Sequence, residues 1–338
     1  MQIGRGNWYG KKYYFGMHYD LHANANDTEL GSQVHHQENR QLINHPIGGK
    51  QMKYSITTVT LPHLDMEGQA KFIKQLGYDG IELRVRYCTD EQRAAKVPSN
   101  WGYHVNDITP DNFVEKAPEI TKILDDYGVQ LAGLATNMSC KELEVFKKVL
   151  DGAVLTKAPF IRLGAAAGFA ARETDNYHAI LGETIAGYAR CVELAKGSGV
   201  KLILEMHGNT IHPSASLAYR IVSNFSPNDV GVIYDPQNMV RDGYETPAIA
   251  ISVLGDYLAH CHFGAHRPVA GEPDENGTVV WKWERCKIYE GLFNFPVTFK
   301  LLKKVNYSHF ISVEDFGPQP PEEKFSEAIT YFKKIEQL

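Results

Sequence analysis

Three histidines and an arginine stand within the ten residues LAHCHFGAHR, 258–267. A His-x-His pair in an apolar run suits a buried strand as well as a metal site, so its chemistry depends on what else arrives at the same place. Four apolar runs each close on a ligand-type residue: LILEMHG on Glu205, VIYDPQN on Asp235, LAHCHFG on His262 and ISVEDFG on Glu314. Burying one ionised carboxylate is costly, and three that converge need a compensating cation. A divalent metal supplies it. Three carboxylates and one imidazole favour Mn2+, with Mg2+ or Co2+ also possible, over structural zinc. Residues two apart on a strand share a face, so Leu258, His260 and His262 point one way and Ala259 and Cys261 the other. His262, at the strand end, is the expected ligand, and His260, one layer deeper, supports it by a hydrogen bond. With bonds of about 2.0–2.6 Å, the four side chains must converge within about 5 Å.

Those runs are the last four of eight strand–helix units. The first four are KYSITTVTL with DMEGQAKFIKQLG, GIELRVR with PDNFVEKAPEITKILDDYG, VQLAGLATN with KELEVFKKVLDGAV, and FIRLGAA with NYHAILGETIAGYARCVELAKGSG. The helices following the last four are SASLAYRIVSNF, TPAIAISVLGDY, FNFPVTFKLLKKV and PEEKFSEAITYFKKIEQ. Strands alternating with helices predict a parallel sheet, and eight such units over roughly 285 residues predict a (β/α)8 TIM barrel, an α/β fold. Its active site belongs at the C-terminal strand ends, where the four ligands fall. No G-x-G-x-x-G follows the first strand and there is no P-loop. Residues 1–52 stand outside the rhythm as an N-terminal extension, and 53–338 make the barrel. Within the extension, GMHYDLHANANDTELG is ligand-like in composition, but packing on the barrel or a neighbouring subunit accounts for it better, and NDTEL fits a helix N-cap.

A net charge of −5 with no basic block excludes a nucleic-acid or acidic-membrane surface and leaves a small-molecule partner. Five scattered cysteines without a C-x-x-C pair indicate neither disulfides nor a thiolate site, which suits a reducing cytoplasm. No apolar run is long enough to span a membrane.

On the order Glu205, Asp235, His262, Glu314 along strands five to eight, residues 53–338 resemble the xylose isomerase-like sugar isomerase/epimerase family. That family includes ketose 3-epimerases, hydroxypyruvate isomerases, inosose dehydratases and, more distantly, endonuclease IV. The resemblance implies that Glu205 and Glu314 also serve as the acid–base pair and that Arg267, displaced by about one residue, orients a substrate oxygen. Where the ketose 3-epimerases carry a histidine three positions after the aspartate, this chain has Asn238, which could bind a substrate hydroxyl. An endonuclease-like zinc cluster lacks its histidines, since strands two and three end in LRVR and LATN.

Other candidates carry two readings each. His207 shares a face with Glu205 if the strand continues and is a substrate contact, a base or a loop hydrogen-bonder. His266 and Arg267 lie in the loop after strand seven, where they can face substrate; His212 reads as a surface-loop residue. The long connection RYCTDEQRAAKVPSNWGYHVNDITPDN is a lid or binding loop, whose Trp101, Tyr103 and His104 stack on a sugar or polyphenol ring or pack on a partner subunit. The expected activity is metal-dependent isomerisation or epimerisation of a free sugar or sugar derivative through an enediolate. A second reading is a lyase: an inosose dehydratase, or the large subunit of a C-glycoside deglycosidase acting on a 3-keto-glycoside with a small β-rich partner. A homo-oligomer is the alternative assembly, and a non-catalytic metal-stabilised binding protein the remaining function.

Overall fold

The computed structural model describes residues 51–170 and 172–338. The expectations for GMHYDLHANANDTELG and the rest of 1–50 lie outside the described residues. Eight parallel strands close into a barrel: β1 (Lys53–Thr57), β2 (Gly80–Arg84), β3 (Gln130–Ala135), β4 (Phe160–Arg162), β5 (Lys201–Glu205), β6 (Val230–Tyr234), β7 (Leu258–Phe263) and, as the tenth strand in chain order, β10 (Phe310–Val313). Outside them run α1 (Met66–Gln75), α3 (Phe113–Tyr127), α4 (Leu143–Thr156), α5 (Tyr177–Ala195), α6 (Ala215–Val222), α8 (Pro247–Leu254), α9 (Phe295–Lys304) and α10 (Pro321–Glu336). Two short helices, α2 (Asp90–Ala95) and α7 (Pro236–Asp242), sit in βα loops.

Helix α1 shows how local sequence sets these elements. Asp65 caps it by accepting from the Gly68 N–H at 2.8 Å, and Met66, Ala70 and Ile73 recur on one buried face. Burying each large apolar side chain contributes about 1.5–3 kcal/mol. The helix stops at Leu76 because Gly77 takes φ +77°, a left-handed conformation that glycine adopts without a Cβ penalty.

The barrel interior is layered. Phe160, Ile203 and Ile233 form an apolar floor. Above it the interior turns polar with Ser55, Ser312, His260 and Glu82, all buried. Such a layer is unusual in a parallel sheet, whose strands ordinarily read as apolar runs.

One expectation fails here. His266 and Arg267 do not lie in a plain loop but open an antiparallel hairpin, β8 (His266–Pro273) and β9 (Val279–Arg285), inserted between β7 and α9. Its turn is closed by Asp274, whose Oδ1 accepts from the N–H groups of Asn276 and Thr278 at 2.9 Å, with Gly277 at φ +80°.

The barrel closes on itself without residues 1–50: β1 pairs with β10 and β2, and the Met52 N–H donates to Glu336 at 3.0 Å. A chain beginning at Met52 is therefore expected to unfold in one cooperative transition, checked by thermal denaturation. Loss of that transition would place the first 51 residues in the core.

Candidate metal centre

Glu205 ends β5, Asp235 and Glu314 follow β6 and β10 directly, and His262 lies near the end of β7. Their burial is extreme, with 3%, 0%, 6% and 0% of each surface exposed, respectively. One ligand atom from each can be chosen so that all four lie within 4.8 Å of one another. His262 Nδ1 stands 2.9 Å from Glu205 Oε1 and 3.4 Å from Glu314 Oε2.

Each ligand is held by a neighbour. Asp235 is the N-cap of α7, accepting from the Asn238 N–H at 3.0 Å and from its side-chain amide at 2.6 Å. The Gln237 side-chain amide donates to the carboxylate and to the backbone carbonyl of Glu314, both at 3.2 Å. A side chain at position 264 would be driven into this contact: a Cβ on Gly264 would lie 2.3 Å from Gln237 Oε1 and 2.5 Å from the Glu314 carbonyl.

Behind His262 stands a residue the sequence reading missed. Glu82, wholly buried on β2, lies 2.9 Å from His262 Nε2 and 3.1 Å from His260 Nε2, and His260 also reaches Ser312 Oγ at 3.0 Å. Burial opposes charge on His262, but Glu82 and then Glu314 hold its imidazole well above the usual value; with a cation at Nδ1, the one remaining proton would sit on Nε2 and donate to Glu82. His260 thus sits one layer deeper and touches the centre only through Glu82.

Three arginines complete the strand ends. Arg162, last on β4, pairs with Glu205. Arg84 and Arg86 share a face with Glu82 along β2 and its extension. Burial, reinforced by the charges of Arg162 and Arg84, pulls the Arg86 guanidinium down to about 9.

The electrostatics test whether a cation fits. Burial works against the charge on Glu205 and Glu82, yet Arg162 and then His262 hold Glu205 well below the usual carboxylate range, and His262 and His260 do so for Glu82. Asp235 goes the other way: burial, and then the Glu205 and Glu314 carboxylates, push it far up. Three carboxylates this close cannot all be ionised unless a cation joins them. The donor set, three hard oxygens and one imidazole, fits a divalent ion.

A test follows for metal-free protein. Folded Asp235 keeps its proton above the ordinary aspartate pKa of about 3.9 while the unfolded chain loses it, so stability falls as pH rises until the folded carboxyl itself ionises. The depressed carboxyls Glu205 and Glu82 act oppositely, but their contribution is already complete above about pH 5. The melting-temperature gap between Mn2+-loaded and metal-free protein is expected to widen from pH 5 to 7.5. A constant gap in thermal melts would show that Asp235 is not the strained member.

The remaining candidates are placed as follows. His207, half-buried, lies 2.8 Å from the Gly208 carbonyl through Nδ1 and shares a cavity of about 140 Å3 with Arg162, Glu205, Thr210 and His212. His212 corrects an expectation: it is buried, not a surface-loop residue, and burial followed by the nearby His207 pulls its imidazole down to about 4. His266 is buried and lines a mouth cavity of about 510 Å3 with Arg241, Trp283, Arg285, Phe316 and Pro318. Arg267, on the opposite face of β8, is exposed and pairs with Glu290 at 3.4 Å and Glu284 at 3.6 Å, so the guanidinium that contacts the tetrad is Arg162 instead. Trp101 is exposed and packs on Phe316 with centroids 4.7 Å apart, whereas His104 is buried with Nε2 3.3 Å from the Asn100 carbonyl.

Fold and strand-end cluster together define a (β/α)8 barrel with one polar site at its C-terminal mouth. Residues 70–335 match the family described as xylose isomerase-like TIM barrel, and the chain belongs to it. Among solved structures of similar fold, a 3-keto-D-glucoside 4-epimerase from E. coli superposes with a TM-score of 0.63 at 14% identity, over 84% of this chain and 100% of that one. A probable 3-DHS dehydratase from Bacillus anthracis gives 0.60 at 16% identity, over 83% and 99%. A xylose isomerase-like TIM barrel protein from Mycobacterium smegmatis in complex with magnesium gives 0.60 at 14% identity, over 84% and 96%. No curated protein sequence matches the chain significantly. Among the described residues no helix is long and apolar enough to cross a membrane.

Proposed function

We propose that this protein is a metal-dependent isomerase or epimerase of a sugar or sugar derivative, with Glu205, Asp235, His262 and Glu314 holding one divalent ion, Mn2+ first and Mg2+ or Co2+ as alternatives. The observation that carries the reading is a buried set of three carboxylates and one imidazole, within 4.8 Å, whose charges call for a cation. The epimerase and the magnesium-bound barrel among its structural relatives support it.

A bound divalent ion would supply Lewis acidity, making the C–H beside a carbonyl acidic. The protein's own groups do the rest. Glu205, kept ionised by Arg162, is suited to accept the carbon-bound proton. Glu314, oriented by Gln237, can take the proton of a substrate hydroxyl and return it to carbon, on the opposite face for epimerisation or at the neighbouring carbon for isomerisation, while Glu205 passes the carbon-derived proton to the oxygen left bare. His207 and Asn238 would meet substrate hydroxyls, with Trp101 and His266 contributing from the mouth and His104 supporting the Trp101 loop. Burial of the tetrad excludes water from the reacting carbon. The five cysteines are free thiols, which suits a reducing cytoplasm.

One observation favours a second reading. The mouth cavity of about 510 Å3, walled by Trp283 and Phe316 and approached by Trp101, has room for an aromatic aglycone. That suits a lyase acting on a 3-keto-glycoside, as a large subunit with a small β-rich partner, in place of a homo-oligomer.

The two are separated by incubating Mn2+-loaded protein with ketoses, inososes and 3-keto-glycosides in D2O, followed by mass spectrometry. A product of unchanged composition carrying one deuterium marks isomerisation or epimerisation; loss of water or aglycone marks elimination. Neither outcome across the screen would leave a metal-stabilised binding protein.

A further inference from the structure

The interior charge does not balance on a neutral sugar. Glu82, Glu205, Asp235 and Glu314 are buried carboxylates, Arg84 and Arg86 are buried guanidiniums, Arg162 is mostly covered and pairs with Glu205, and the buried Asp315 and Lys324 offset each other. Adding the divalent ion of the proposed function, with both histidines neutral, leaves one positive charge without a partner. Burying an unpaired charge is strongly unfavourable.

The surplus is located. Arg162 is taken by Glu205. Arg84 and Arg86, 3% and 7% exposed, have no carboxylate within 4 Å among the described residues, and Asp107, the carboxylate whose charge Arg84 feels, is paired with Arg93 at 3.1 Å. Each is tethered by one backbone carbonyl: Arg84 Nη2 donates to Gly102 at 2.8 Å, and Arg86 Nε to Ala135 at 3.3 Å. Arg86 Nη2 and the Nε and Nη1 of Arg84 are buried with no acceptor. Buried donors without partners are rare, because each loses its hydration and gains nothing unless something accepts from it. Arg86 also lines a cavity of about 230 Å3 with Thr136, Asn137 and Glu142, whose carboxylate accepts from the Ser139 N–H at 2.7 Å. Arg86 lies on the face of β2 and its extension that carries Glu82, the residue holding His262.

We propose that the site takes a substrate bearing a single carboxylate, a polyhydroxy or keto acid, with Arg86 as the receiving group and Arg84 beside it. A guanidinium binds a carboxylate through charge-assisted N–H donors, and Arg86 Nη2 is the free donor on the receiving group. One negative charge matches the surplus, whereas a phosphate dianion exceeds it. In barrels phosphate also binds after strands seven and eight, rather than after strand two. This assignment rests on the metal site of the proposed function.

The test uses the full chain loaded with Mn2+ and freed of excess metal, with D-gluconate and D-glucitol as probes. They share a carbon chain and differ in the carboxylate. Binding is read from Mn2+-induced broadening of the probes' proton resonances, and metal content is measured on the same samples. Gluconate is expected to bind at least tenfold tighter than glucitol. Arg86→Met is expected to erase that preference at unchanged metal content, and Arg86→Lys to keep part of it. Equal binding of the two probes to the wild type, or a preference that survives Arg86→Met, overturns the carboxylate assignment while the metal site stands. Inorganic phosphate that displaces gluconate at lower concentration than gluconate itself requires also overturns it. Absence of bound Mn2+ overturns the metal site and, with it, the charge surplus on which the carboxylate depends. Should Arg86→Met fail to fold, the wild-type comparison and Arg86→Lys decide.

Discussion

Glu314→Gln protein saturated with Mn2+ is expected to turn over about 10²–10⁴-fold more slowly than the wild type, a loss of about 3–5 kcal/mol of transition-state stabilisation. The amide keeps the shape and one oxygen donor but cannot accept a proton. Gln237 donates to this carboxylate at 3.2 Å, so the new amide turns its oxygen toward either Gln237 or the ligand cluster. Some weakening of metal binding follows, and added Mn2+ should restore occupancy. It should not restore rate. Steady-state kinetics across a Mn2+ titration make the distinction: recovery of wild-type turnover at saturating metal would reduce Glu314 to a ligand and leave His207 as the candidate second base.

Glu82→Gln is expected to weaken Mn2+ affinity by about 10–100-fold without touching the ion, through the histidine it orients. Glu82 is the shared acceptor for His262 Nε2 and His260 Nε2. Both histidines reach Oε2 and His262 Nε2 also lies 3.0 Å from Oε1, so an amide sets its own N–H against one of the imidazole N–H groups. One histidine must then change tautomer or lose its bond. If it is His262, the proton moves to Nδ1 and the ligand lone pair is lost. Competition against a chelator measures the affinity, and a thermal melt shows that the barrel persists. An unchanged affinity would show that the carboxylate does not set the tautomer.

Much of this architecture was legible because local signals agreed with the global one. The cap at Asp65, the apolar spacing of α1 and the stop at Gly77 each point to the same helix, and eight such units point to a barrel. The four strand-end residues were legible because each breaks an apolar run at the place where a barrel keeps its site. Glu82, Arg84 and Arg86 were missed although GIELRVR carries their signal: three charges at a spacing of two put all three on one face of a strand that should be apolar on both. Read as a strand ending, the segment looks ordinary; its meaning depends on His260 and His262, some 180 residues away, which no local pattern shows. Arg162 was hidden in the same way by the brevity of β4. The hairpin was a misreading of available chemistry, since Asn276-Gly277 followed by the alternating VVWKWER is a hairpin signature. Its consequence fell on Arg267, which alternation turns away from His266.

The depth of the tetrad governs time as well as affinity. Four ligand side chains that are 94–100% covered cannot swing out one by one, and Arg162, paired with Glu205, sets a like charge against an arriving dication. Exchange of one ion for another should therefore be slow beside turnover, and the ion in a purified sample should reflect the medium in which the chain folded rather than the buffer in which it is assayed.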